Sequence, residues 1–249
     1  MTTLLSAEKY KLLRSKAFYI ILGCFSVMTA FIVLNLVNFS HHVFGKDGVY
    51  APAISYNFII FCFPAFIGYF AATEFQNGTI RNALCIGKGR LAVYLSKTIA
   101  VFAGIAAMIL LISVVSTVGY SAASGFGDIT MLEYTASFLR AFLLQVVYFS
   151  AIASVITMLA FISRTPIMTM ILGEGFIIIS LIFQQGLVDN LAFLAGWFPD
   201  YYLKQLLQPL LGRGAAAPAV HVQGIAVSLA WIAVTTLITM AVFKRKDLK

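Results

Sequence analysis

Apolar residues in this chain come in runs long enough to cross a membrane as helix. Six windows hold about 19 to 23 residues each: Ala17–Val37, Ser55–Thr73, Thr98–Tyr120, Ala141–Ser163, Ile167–Gln185 and Gln223–Phe243. Glu174 is the one charged residue inside them. A hydrocarbon core of ~30 Å takes about 20 residues of helix, so each run can cross once. Composition agrees, at 61% hydrophobic and 10% charged with a mean hydropathy of +0.95, against roughly 25% charged in a soluble domain. The chain reads as all-α, a polytopic membrane protein of six transmembrane helices forming a single domain over residues 1–249. A seventh apolar piece, Leu187–Phe198, is too short to cross and contains Asp189, Asn190 and Gly196. It reads as a re-entrant or interfacial element within an outer loop, residues 186–222.

Orientation follows from the basic residues, because loops rich in Lys and Arg stay cytoplasmic. With the N-terminus inside, the inner segments carry Lys9, Lys11, Arg14, Lys16, Arg81, Lys88, Arg90, Lys97, Arg164, Lys244, Arg245, Lys246 and Lys249. The outer side keeps Lys46, Arg140, Lys204 and Arg213, thirteen against four. Both termini are therefore expected on the cytoplasmic side, with residues 1–16 as an interfacial segment. The net charge of +8 follows from this asymmetry and suits anionic lipid at the inner leaflet, so no nucleic-acid partner is inferred.

Most searches for chemistry come back empty. The first apolar run exceeds a signal-peptide core and no small-residue cleavage site follows it, so it is expected to be retained as a span. Cys24 and Cys62 fall inside helices and Cys85 on the cytoplasmic side, which leaves no external pair for a disulfide. Asn77-Gly78-Thr79 matches a glycosylation sequon but lies on the cytoplasmic face. Adjacent His41 and His42, with His221 far off in sequence, make a poor metal site. Gly87-Lys88-Gly89 lacks the glycine spacing and the Ser/Thr of a phosphate-cradling loop, so ATP is not bound by that route. No catalytic residues are assigned.

What remains is the segment Glu74–Lys97, EFQNGTIRNALCIGKGRLAVYLSK, the longest cytoplasmic connection between spans. Gly78 and the pair Gly87, Gly89 punctuate it, so a short helix over about Thr79–Leu84 is expected between two flexible joints. Such a helix lying across the ends of two spans is a lever. The alternative is a solvated loop whose basic residues only set topology, which does not account for Glu74, Gly78 and Thr79.

These residues resemble a known family. Glu74, Gly78-Thr79, Arg81, Arg90 and Lys97 look like the signature in the first cytoplasmic loop of type-2 ATP-binding-cassette exporter permeases. The segment AEKYKLLRSKAFYI, with Glu8, Lys11, Arg14 and Lys16, is similar to that family's N-terminal interfacial elbow. One departure is the stretch Cys85-Ile86-Gly87-Lys88-Gly89-Arg90, where many relatives carry a proline. The resemblance implies the type-2 exporter fold, with a coupling helix in residues 74–97 that docks on a separate ATPase. Glu74, Gly78, Thr79, Arg81 and Arg90 would form the coupling site. It further implies two permease chains, identical or homologous, and two ATPase subunits that bind ATP and Mg, with no cofactor in this chain. The compact size looks most like bacterial plasma-membrane permeases that export, or confer immunity to, antimicrobial peptides such as lantibiotics and bacitracin.

Inside the spans, Pro64 is expected to kink the second one, as a gate or as a static bend. Glu174 is too costly to face lipid as an unpaired carboxylate, at roughly 2.5 to 3.5 kcal/mol on insertion scales. It reads either as part of a substrate path or the seam between two permease chains, or as a protonated structural residue. Trp197, Tyr201 and Tyr202 suggest an outer aromatic belt or an exit gate. Gly104, Ala107 and Gly119 suit close helix approach, and Arg140 can snorkel or pair with Glu133. An ion-coupled carrier or small channel is the alternative function, with a membrane enzyme third.

Overall fold

Helix boundaries fall where the sequence places capping and special backbone residues. The computed structural model describes residues 2–39, 44–85, 89–190, 196–208 and 217–245, and among these there is no strand. Helix α1 (Thr2–Arg14) stops one residue before α2 (Lys16–Phe39). Ser15 separates them, its Oγ accepting from the Phe18 N–H at 3.4 Å as an N-cap serine does. Glu8 and Leu12 of α1 are buried against the bundle while Leu5, Tyr10 and Leu13 stay exposed.

A 3-10 helix, Gly45–Tyr50, and one turn, Ala51–Ile54, join α2 to α3 (Tyr56–Gln76). This joining segment is a packed element. Gly45 and Gly48 lie against Ser121 and Thr117 of α5 (Arg90–Ser124) so closely that a side chain fits at neither glycine. Buried Gln145 donates from Nε2 to the Val49 carbonyl at 2.9 Å. The two ends are thereby fastened to different spans.

Within α3, Pro64 supplies no N–H and its ring crowds the preceding turn. A π-helical stretch, Gly68–Ala72, follows it, a widened turn of the kind that relieves such strain. The proline ring is covered by α7 (Pro166–Asn190): a Cβ at Gly173 would stand 2.9 Å from both Cβ and Cγ of Pro64. Gly68 meets the Pro166 carbonyl in the same way, at 3.1 Å. The Pro64 region is thus fitted closely to α7.

Helix α4 (Thr79–Cys85) precedes α5, and α6 (Met131–Ser163) follows it. A capping box starts α6: Thr130 Oγ1 accepts from the Glu133 N–H at 3.4 Å and Glu133 Oε2 accepts from the Thr130 N–H at 3.3 Å. The Glu133 carboxylate therefore serves the helix start. Gly104 and Gly119 of α5 admit Phe66 and Val33, to within 2.8 and 2.7 Å of a would-be Cβ. Helix α6 is central, packed by α3, α5, α7 and α9 (Pro218–Arg245), and Thr235 Oγ1 donates to Ser154 Oγ at 3.1 Å across the α6–α9 contact.

The six apolar windows lie on α2, α3, α5, α6, α7 and α9. Five are long and apolar enough to cross a membrane, and α7 contributes the shorter apolar stretch Pro166–Ile182. Helix α7 continues to Asn190, so the start of the Leu187–Phe198 piece extends it. Residues 191–195 lie outside the described ones, and after them the short α8 (Pro199–Gln205) leads toward α9.

Candidate coupling site

Four charges meet where α1, α3 and α5 come together. Lys97 Nζ lies 3.0 Å from Glu8 Oε2 and 2.8 Å from Glu74 Oε1, and Lys11 Nζ lies 2.9 Å from Glu8 Oε1 and 3.1 Å from the same Glu74 oxygen. Side-chain exposure falls from 38% at Lys11 to 16% at Glu74, 6% at Glu8 and 1% at Lys97. Two carboxylates and two ammonium groups close a ring of zero net charge. A lysine this deep needs such partners, because stripping an ion of water costs several kcal/mol that only close opposite charge offsets. The Phe70 ring adds to this, with Lys97 Nζ 5.0 Å from its centroid.

Outside the spans the ring leaves an electrostatic signature. Burial pushes the Glu8 carboxyl up, but Lys97 and Lys11 outweigh it and hold the group below its ordinary value. Burial pushes Lys11 down, and Glu8 and Glu74 outweigh that, leaving it above its ordinary value. Both charges are therefore stabilised where they sit.

Beside the ring is an apolar anchor. Phe75, next to Glu74, packs edge to face on Phe161 of α6 at 5.0 Å and on Phe243 of α9 at 6.4 Å. Tyr94 of α5 meets Phe161 at 5.0 Å, and Phe161 meets Phe243 at 5.5 Å. Ile80 of α4, 2% exposed, enters this cluster with Leu84 at its edge. Arg90 donates from Nη1 to the Phe243 carbonyl at 2.6 Å, joining the start of α5 to the end of α9. Gly78 turns the chain between α3 and α4 at φ +69, a left-handed conformation that glycine adopts without a Cβ penalty.

Of the residues singled out in the sequence, Glu74, Gly78, Thr79 and Arg90 thus gather at one end of the bundle around α4. Arg81 lies within α4, its side chain outside the described ones, as is Gly87. Glu74 points into the ion ring. Pro64 and Glu174 belong to a different place, the α3–α7 contact. Gly173 covers Pro64, and the adjacent Glu174 is half-buried with Oε2 lacking a hydrogen-bond partner among the described residues. Also among the described residues, no group of three or more His, Cys, Asp or Glu is placed to hold a metal, and His41 and His42 lie outside them.

Sequence reasoning named Glu8 and Lys97 separately and did not pair them. The available signal was one acid in a basic segment and one lysine at the start of an apolar run. The aromatic anchor gave no signal, since Phe75, Tyr94, Phe161 and Phe243 are spread over the whole chain.

The sequence model of a family described as ABC-2 family transporter protein matches residues 4–180. The chain belongs to the ABC-2 transporter family. No curated protein matches it. The match runs from α1 into α7 and takes in the ion ring and α4, whereas α8 and α9 lie beyond it. As an ABC-2 permease the chain is a multi-pass membrane transport subunit and not an ATPase, and its system includes a partner ATPase subunit. That replaces the ion-coupled carrier and the channel as readings of its energy source.

Proposed function

We propose that this permease exports an amphipathic peptide or drug-like molecule across the bacterial plasma membrane, with both termini cytoplasmic. It works as a pair of permease chains, identical or homologous, with two ATPase subunits that bind ATP and Mg. Residues 74–97 form the coupling segment, and α4 is the docking helix. Glu74, Gly78, Thr79, Arg81 and Arg90 hold or present that helix, and Pro64 and Glu174 lie on the substrate path or at the seam between the two permease chains. Antimicrobial peptides are the expected substrate class, on the resemblance of the chain to peptide-export and immunity permeases.

One observation carries this reading. Helix α4 is tied through Ile80 to an anchor built from α3, α5, α6 and α9, while Glu74, just ahead of it, is tied to α1 and α5. A displacement of α4 is therefore passed to five helices, as a solvated loop could not do. ATP drives such a machine by binding two conformations unequally, and the difference must travel through this junction.

Cys85, exposed at the end of α4, gives a direct test in the chain as it stands. A membrane-impermeant maleimide applied to intact cells should leave Cys85 unlabelled, and in inside-out vesicles a bifunctional maleimide should link it to the ATPase. Labelling from outside would overturn the orientation. A Cys85 that labels at the same rate with and without the bound ATPase would overturn the docking role.

A further inference from the structure

A second polar site lies at the other end of the bundle, where α8 packs against α6 and α9. Asp200 of α8 is 4% exposed and accepts from Ser180 Oγ of α7 at 2.7 Å. Among the described residues it has no ion pair. Lys204, one turn along, instead places its ammonium 5.8 Å from the Tyr56 ring centroid. Burial, against the Ser180 bond and Lys204, holds the Asp200 carboxyl above its ordinary range. Asp200 borders a void of about 10 Å³ that Val155, Phe176, Phe198 and Trp231 also line, room for about one water.

Trp231 closes this void on one side. It also lines an apolar groove of about 280 Å³, together with Trp197, Val227, Ala230 and Val234. The indole is seated between Phe176 and Phe198, with centroids at 6.3 and 6.2 Å, and donates from Nε1 to the Trp197 carbonyl at 2.8 Å. One side chain thus lines both an open apolar groove and the void beside a buried acid. The groove faces outward, since α9 is the least buried of the candidate spans, at 17%, so a molecule dissolved in the lipid reaches it sideways.

We propose that this is a binding site for an amphipathic cation: its apolar body lies in the groove, and its ammonium or guanidinium group passes the displaced Trp231 to pair with Asp200. The role in transport rests on the reading of the chain as a carrier of amphipathic molecules; the binding does not. Asp200 selects for positive charge because a buried carboxylate is stable only with a cation or a proton beside it. An arriving cation supplies that charge directly beside the carboxylate. The indole faces supply further attraction for a cation.

The chain contains two tryptophans, Trp197 and Trp231, and both line the groove, so intrinsic tryptophan fluorescence of the purified full chain in neutral detergent reports on this place. The probes are 4-phenylbutylammonium, 4-phenylbutanol and 4-phenylbutyrate, alike in shape and different in charge. The ammonium should bind saturably about tenfold or more tighter than the alcohol, the carboxylate should bind weakest, and Asp200→Asn should abolish the ammonium's advantage while leaving the alcohol unchanged. Equal binding of the three probes by the unaltered chain overturns the proposal without any variant, as does an ammonium advantage that survives Asp200→Asn. Charge-selective binding by a chain that exports nothing when assembled with its ATPase would keep the site and remove the carrier reading; ATP-driven export without such binding would do the reverse.

Discussion

Lys97 and Glu74 stand 2.8 Å apart at the two sides of the connection between α3 and α5. Glu74 lies just ahead of the turn into α4 and Lys97 two turns into α5, so this ion pair ties together the two helices that flank α4. Glu8 of α1 closes on the same lysine at 3.0 Å. The N-terminal helix is thus part of the junction.

This arrangement predicts an asymmetry between removing one charge and removing a matched pair. Lys97→Met removes the buried cation and leaves two carboxylates, Glu8 and Glu74, stranded against the single, more exposed Lys11, which should destabilise the permease by about 3–5 kcal/mol. Adding Glu8→Gln to Lys97→Met should recover part of that loss, because one of the stranded charges is gone. A double-mutant cycle on unfolding in detergent measures the coupling, expected at about 1–3 kcal/mol. Additive effects would mean that the ring contributes nothing as a unit.

The same ring sets a pH dependence for the docking of α1. Glu8 is held below its ordinary value of 4.5, so its contribution is complete above that pH and is lost as pH falls through the lower folded value. Lys11 is held above its ordinary value of 10.5, so its contribution is complete below that pH and is lost as pH rises through the higher folded value. The α1–α5 distance, read by spin labels at exposed Tyr10 and Leu110, should stay constant between these limits and lengthen in acid. Glu8→Gln should remove the acid limb of the profile.

Two glycines separate close packing from backbone freedom. At Gly48 a methyl group would run into the backbone of Thr117, so Gly48→Ala should cost about 1–3 kcal/mol or more and loosen the segment Gly45–Tyr50 from α5. At Gly78 a Cβ meets nothing within 4 Å, but φ is +69, so Gly78→Ala should cost about 1–2 kcal/mol through the backbone alone. Limited proteolysis distinguishes them, with new cleavage near residue 48 in the first variant and near residue 78 in the second.

The spans were legible in the sequence because membrane crossing demands length and apolarity, and both are local properties. The short helix α4 was legible for a related reason: Gly78, Thr79 and Arg90 mark a turn, a helix start and a second helix start within one short stretch. The ion ring was not, because it joins Glu8 to Glu74 and Lys97, and no local pattern tells which basic residue an acid will find. The packed segment Gly45–Tyr50 was invisible too. Its burial comes from two glycines fitted to α5, and a glycine fitted to a neighbour reads the same as one in an open loop.

Ile80 gives the sharpest test of transmission. Its side chain, 2% exposed, joins α4 to Phe75, Tyr94, Phe161 and Phe243. Ile80→Ala should cost about 2–5 kcal/mol if the site does not collapse around the smaller residue. That loss falls on the link between α4 and the spans, so assembly with the ATPase should persist, and ATP turnover with it. Transport per ATP should fall by an order of magnitude or more, since about 1.4 kcal/mol of lost bias between two conformations is already tenfold. Ile80→Val, which removes one methylene, should fall between the two. Equal loss of ATP turnover and transport in Ile80→Ala would show that Ile80 supports assembly, and unchanged transport would show that force bypasses the aromatic anchor.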